Sequence, residues 1–122
     1  MSHVVSIKSQ MMDAVALAAA CRRLGLAEPV RETVWLFSGQ ATGLAVRLAG
    51  WQYPVVIDVD AGEVHFDNFG GAWGEMSAME RLQQSYAVEK ARLEARRKGF
   101  AVHETTLQDG SIKLQIVEGV AP

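Results

Sequence analysis

The spacing of apolar residues along the chain predicts two helices and seven strands. Residues 3–8 predict a first strand, and the alanine-rich segment after it predicts a helix that Ser9 caps and that ends near Leu24 and Gly25. Four further strands are predicted at 33–37, 44–49, 54–59 and 63–67, with a loop at 38–43 between the first two. Apolar and polar residues alternate in the second and fourth of these strands, a period of two that predicts one buried face.

The second half of the chain predicts a long helix and a closing hairpin. Ser77 and Glu80 have the spacing of a capping box at a helix start, and Gly99 marks its end. Apolar residues at helical spacing predict its buried face: Met79, Leu82, Tyr86 and Leu93. Residues 100–107 and 111–117 predict a hairpin with a Gln-Asp-Gly turn. The order β-α-β-β-β-β-α-β-β predicts an α+β fold, a two-layer, largely antiparallel sheet with both helices on one face.

Length and charge narrow the classes of function. A chain of 122 residues predicts a single α+β domain over residues 1–122. A formal net charge of −2 gives no general attraction to nucleic acid or to an anionic membrane, so neither partner is expected. Cys21 is the single cysteine, and the start of the sequence lacks a basic, apolar leader. These features predict a cytoplasmic protein.

The segment "FGGAWGEM" allows two interpretations. Glycine turns before a helix can bind phosphate through free backbone N–H groups. However, the spacing and the lysine of a phosphate-binding loop are absent from this segment, and Asp67 and Glu75 add negative charge where an anion would lie. We therefore expect a structural loop whose glycines allow Trp73 to pack as an anchor.

Acidic and imidazole side chains give little support to a metal or catalytic site. The carboxylates Asp58, Asp60, Glu63 and Asp67 alternate with apolar residues, as solvent-facing strand positions do. The three histidines, His3, His65 and His103, show none of the close pair spacings typical of zinc ligands. We expect no metal, no cofactor and no catalytic residues, although an enzyme remains an open alternative.

Several segments resemble the hypothetical chloroplast reading frame 35 family. They are "MSHVVSIKSQ", "LGL", "LQQSYAVEKARLEARRKGF" and "QDGSIKLQIV". This is a family of unknown function from algal plastids, cyanobacteria and other bacteria, and the resemblance is best over residues 82–117. It implies a small α+β protein with an accessory role beside other proteins such as AAA+ ATPases. It implies no catalytic residues, and a stromal location for plastid-encoded relatives.

Two functions remain open from the sequence. The first is a non-catalytic accessory or protein-interaction module, which binds a protein partner or a second copy as a homodimer. Its expected interface is the sheet face away from the helices, with residues Arg47, Glu63, His65, Asp67, Lys113 and Gln115. The alternative is a small-molecule-binding protein or enzyme, with a pocket near Trp51, Trp73, Asp58 and His65.

Overall fold

The computed structural model describes residues 3–118, and its elements follow the predicted order. The strands are β1 (Val5–Lys8), β2 (Val30–Leu36), β3 (Gly39–Val46), β4 (Val55–Asp58), β5 (Glu63–Phe66), β6 (Ala101–Thr106) and β7 (Ile112–Val117). The helices are α1 (Ala14–Arg23) and α2 (Met76–Arg97), and one 3₁₀ turn (Phe69–Gly71) lies before α2. The predicted α+β class and element order are confirmed.

The first five strands form one antiparallel sheet in the order β1-β5-β4-β3-β2. Helices α1 and α2 pack on one face of it around a core that includes Leu17, Val46, Ile57, Val64, Met79 and Leu82. Burial of such side chains is the main source of stability in a domain of this size. Among residues 3–118, no helix is long and apolar enough to cross a membrane.

The last hairpin forms a sheet of its own. Strands β6 and β7 pair only with each other, beside α2, so Ile112, Leu114 and Ile116 do not share a face with the strands of the main sheet. The hairpin is separate from the main sheet because α2 is much longer than the strands of that sheet. Helix α2 has 22 residues, about 33 Å at 1.5 Å per residue. Strands β4 and β5 have four residues each, roughly 13 Å, so α2 carries the chain past the sheet before the hairpin begins.

Both helix starts differ from the prediction. Asp13, not Ser9, caps α1, because its side chain accepts hydrogen bonds from the backbone N–H groups of Val15 and Ala16. Helix α2 begins at Met76, so Ser77 lies inside the first turn and no side chain caps the helix. The capping box was therefore wrong. The predicted ends hold, since Gly25 and Gly99 follow the two helices with positive φ angles.

The β2–β3 hairpin is longer than predicted. Only Phe37 and Ser38 separate the two strands, so residues 39–43 of the expected loop belong instead to β3. β3 pairs with β4 only from Leu44 onward, and a methyl group on Gly43, just before this pairing begins, would lie 2.7 Å from the Ile57 carbonyl oxygen. Glycine thus permits the close approach at this position.

The tip of this hairpin curls back over the sheet face away from the helices. Ser38, in the turn of this hairpin, donates a hydrogen bond to Asp67, the residue directly after β5. A second core forms beneath the hairpin from buried residues: Val34, Leu36, Ala41, Ala45 and Val56. The face that the sequence left open for a partner is therefore covered in part by the protein's own hairpin.

Candidate interaction surface

The loop between β5 and α2 is closed by its own hydrogen bonds. The Asn68 carbonyl oxygen accepts from the backbone N–H groups of Gly71 and Trp73, at 3.0 and 2.9 Å. The buried Asn68 side chain donates to the Gly74 carbonyl oxygen at 3.0 Å, and Gln52 N–H donates to the Trp73 carbonyl oxygen at 2.8 Å. Because these groups are already paired within the protein, the loop holds Trp73 in a fixed place.

Phe69 has a backbone conformation that a residue of its size rarely adopts. Its φ angle is +47°, and among residues 3–118 it is the only residue other than glycine with a positive φ. Left-handed backbone at a bulky residue is strained and survives only where the surroundings impose it. Here Asp67, which is 1% exposed, accepts a hydrogen bond from Phe69 N–H at 3.3 Å. Such strain is enriched at functional sites.

Three aromatic rings surround Trp73, and we call the four residues together the aromatic cluster: Phe37, Tyr53, Phe69 and Trp73. Phe69 stacks on the Trp73 indole with ring centroids 4.8 Å apart. Phe37 and Tyr53 approach the indole at inclined angles, at 5.4 and 5.6 Å. Phe37 is 64% exposed and Phe69 44%. The cluster is thus an apolar surface built from three separate chain segments.

Sequence reasoning found Trp73 but missed Phe37 and Phe69. Both lie in turn sequences, Phe37-Ser38-Gly39 and Asn68-Phe69-Gly70. Because turns lie at the surface, a large aromatic residue in a turn is not expected to be buried in the core. That mismatch between residue type and position was the available signal.

The four residues expected to form a ligand pocket are spread over the sheet. The Trp51 indole packs edge-on against Phe66 at 5.7 Å on the helix side, and its N–H donates to the Glu75 carbonyl oxygen. Trp73 belongs to the aromatic cluster. Asp58 accepts hydrogen bonds from the turn after β4, and His65 contacts Ser6 at 2.7 Å on the opposite face from the helices. Each side chain thus has a local structural contact.

The six residues expected to form an interface are not brought onto one surface either. Glu63 and His65 share a strand face, and Arg47 lies beyond β3 with its guanidinium 3.8 Å from Glu32. Asp67 is buried. Lys113 and Gln115 belong to the second sheet, opposite Thr105 and His103. The expected group is therefore divided between two sheets and the interior.

A groove lies between α2 and the segment that joins β1 to α1. It encloses about 590 Å³, and its lining includes Lys8, Met11, Tyr86, Ala87 and Lys90. The volume falls in the range of small-molecule sites. The Tyr86 hydroxyl accepts hydrogen bonds from the backbone N–H groups of Met12 and Asp13 and so fixes one wall of the groove.

Charged side chains tie the second sheet to the helices. The Arg23 guanidinium binds both carboxylate oxygens of Glu104 on β6, at 3.0 and 2.6 Å. It also donates to Glu89 on α2 at 2.9 Å, and Arg92 donates to Glu104 at 2.9 Å. The hydrogen bond from Arg23 holds the pKa of Glu104 below its ordinary value. Bidentate pairs of this kind are the stronger class of surface ion pair.

The shifted pKa values of Cys21 and Asp13 have structural causes. Burial raises the pKa of the Cys21 thiol to about 11, so the thiol is protonated at neutral pH and is a poor nucleophile. The hydrogen bond from Lys90 holds the pKa of Asp13 below its ordinary value, so this carboxylate stays ionised and caps α1. Among residues 3–118, no group of three or more His, Cys, Asp or Glu side chains is placed to hold a metal ion.

Comparison of the chain with family models, curated proteins and solved structures finds no match. The resemblance to the chloroplast reading frame 35 family therefore stays a prediction.

Proposed function

We propose that the protein is a non-catalytic interaction module that binds a protein partner through the aromatic cluster. The observation that carries the proposal is the exposure of Phe37 and Phe69, 64% and 44%, around a Trp73 ring fixed by its loop. In soluble proteins, adjoining aromatic rings that are exposed to solvent usually mark an interaction site. Tryptophan is enriched among the residues that contribute most to binding, and aromatic residues generally are enriched in interfaces.

The rigidity of the cluster supports the same function. Phe37 sits on a two-residue hairpin turn, and Phe69 and Trp73 sit on a loop closed by hydrogen bonds, so little side-chain and loop entropy is lost on binding. Such a preorganised apolar surface suits the apolar side chains of another protein. The resemblance noted above suggests an AAA+ ATPase as the first partner to test, and the lone cysteine supports a cytoplasmic setting.

The test compares capture of partner proteins from the native host. The cluster variant carries Phe37→Ser and Phe69→Asn, the second because asparagine tolerates a positive φ. The control variant is Val15→Ser, since Val15 is 57% exposed on α1 and lies outside the cluster. We expect a partner that binds the wild type and the control and is lost from the cluster variant. Equal capture by all three proteins would contradict the proposal.

A second candidate function is small-molecule binding in the groove beside α2. The volume of about 590 Å³ favours it over the pocket expected from the sequence. Native mass spectrometry of protein purified from its host tests it, with Ala87→Trp to fill the groove. A bound small molecule that is present in the wild type and absent from this variant supports the candidate, and ligand-free wild type counts against it.

A further inference from the structure

The outer edge of β2 carries an ordered set of unpaired backbone groups. Leu36 and Gly39 are separated by two residues only, so they must form a hydrogen-bonded pair. Bonded and non-bonded pairs alternate along an antiparallel ladder. The N–H and C=O groups of Arg31, Thr33 and Trp35 therefore point away from β3.

The side chains agree with this alternation. Thr33 lies opposite Thr42, and their hydroxyl oxygens are 2.8 Å apart. Such closeness is typical of a non-bonded pair, in which the side chains approach each other more closely. Among residues 3–118, no strand pairs with the outer edge of β2.

The same edge lacks several of the features that usually block strand addition. Long strands at a sheet edge are normally interrupted by a bulge, by proline or by lysine. β2 runs for seven residues in regular register with β3 and contains none of these, and its two charged residues, Arg31 and Glu32, have opposite signs. It also presents Trp35, which is 74% exposed, and Val30, which is 54% exposed.

We propose that β2 pairs with β2 of a second copy of this chain, antiparallel and centred on Thr33. In this register Thr33 faces Thr33 of the partner subunit, and Arg31 faces Trp35 of the partner subunit on both sides of the two-fold axis. All three outward-facing residues then exchange both of their backbone hydrogen bonds. A symmetric pair of this kind closes on itself and stops at a dimer.

Self-complementarity is the reason for choosing a second copy over a foreign peptide. The guanidinium of Arg31 lies over the Trp35 indole of the partner subunit, and the symmetry axis repeats the contact. A cation over a tryptophan face is favourable, and cross-strand pairs are the stabilising unit of a sheet. This dimer uses neither Phe37 nor Phe69, so it stands independently of the proposed function.

Light scattering across a concentration series tests the dimer. We expect the wild type to reach twice the chain mass of 13.3 kDa. Thr33→Pro removes the central outward N–H and the hydroxyl contact with Thr42 but no backbone hydrogen bond to β3, and it should yield a monomer. Arg31→Glu should weaken the dimer about tenfold through loss of the contacts with Trp35. Arg22→Glu, a matched charge reversal at a side chain 60% exposed near the end of α1, should leave the dimer unchanged.

Cysteine cross-linking tests the register even where a proline variant fails to fold. The Cα atoms of a bonded antiparallel pair lie about 5.5 Å apart, within reach of a disulfide. Thr33→Cys should therefore link two chains under mild oxidation, while Thr42→Cys on the neighbouring strand should not. The native Cys21 is buried and does not compete. A wild type that stays monomeric at its highest soluble concentration, or equal linking by the two cysteine variants, would overturn the proposal.

Discussion

The loop between β5 and α2 packs against Trp51 only because residue 74 is glycine. A Cβ atom on Gly74 would overlap the Trp51 indole ring, and the φ angle of Gly74 is not among the positive values. Space, and not backbone conformation, therefore requires glycine at this position. Trp51 in turn donates a hydrogen bond to the Glu75 carbonyl oxygen just before α2. The sequence showed only a glycine beside Trp73, and the residue that needs it lies more than twenty positions earlier.

Gly74→Ala is expected to destabilise the protein by roughly 1–3 kcal/mol, because the added methyl group must displace the Trp51 ring. Chemical denaturation measures the change. A double-mutant cycle with Trp51→Phe is the control, since a smaller ring should reduce the cost. If the effects of the two substitutions on the free energy of unfolding are additive, the strain does not arise at Trp51.

Trp73→Ala is expected to lower the free energy of unfolding by roughly 2–3 kcal/mol, less than for a fully buried tryptophan because the ring is only half-buried. The loss comes from contacts with the three rings around it. Trp35→Ala is the matched control, at a ring 74% exposed, measured at low concentration. Equal melting temperatures for the two variants would remove Trp73 as an anchor.

At the scale of secondary-structure elements, the sequence predicted the order of the helices and strands but not which strands pair with each other. Alternation and helical spacing are local patterns, so they predicted nine elements in the right sequence. The hairpin of β6 and β7 has the same alternation as the strands of the main sheet, yet it pairs apart from them. In the sequence, the glycines at 39 and 43 indicate a loop. In the structure both lie in β3, and Gly43 permits a close approach to β4. Neither outcome depends on local sequence alone.

The second sheet should detach from the helices as the pH falls. Two-stranded sheets are marginal on their own in water, so β6 and β7 depend on contacts with the helices, among them those of Glu104 with Arg23 and Arg92. The folded-state pKa of Glu104 lies below its ordinary value of 4.5. Its stabilising effect is therefore complete above pH 4.5 and is lost as the pH falls through the lowered folded-state value.

Hydrogen exchange of residues 101–117 measures this detachment. Relative to the intrinsic exchange rate at each pH, we expect lower protection at acid pH in the wild type, and low protection at every pH in Glu104→Gln. The control is Glu28→Gln, because Glu28 is 74% exposed in its pair with Arg22 and such surface pairs contribute little. Identical exchange in wild type and Glu104→Gln would show that another contact holds the hairpin.

At the scale of the whole molecule, the hydrophobic pattern predicted one apolar sheet face but not what covers the other. The curl of the β2–β3 hairpin buries a second set of apolar residues and brings Phe37 to Trp73, more than thirty positions along the chain. Contacts of this kind depend on the path of a bent ribbon through space. For this reason the sequence predicted a polar interface, whereas the interface that we propose from the folded chain is aromatic.

The protein is expected to fold and remain folded without a metal ion. The three histidines lie on separate segments, and His65 already contacts Ser6. The melting temperature should not change after dialysis against a strong chelator, followed by circular dichroism. Stoichiometric zinc in the purified protein, or unfolding on chelation, would contradict this expectation.

The most direct test of binding through the aromatic cluster is site-specific photo-cross-linking in the native host. Benzoylphenylalanine placed at Phe37 or at Phe69 keeps an aromatic ring at each exposed position, and the same group at Val15 gives an equally exposed control on α1. We predict that positions 37 and 69 link to the same partner protein and that position 15 does not. Links no stronger at 37 and 69 than at 15 would contradict the function proposed for this surface.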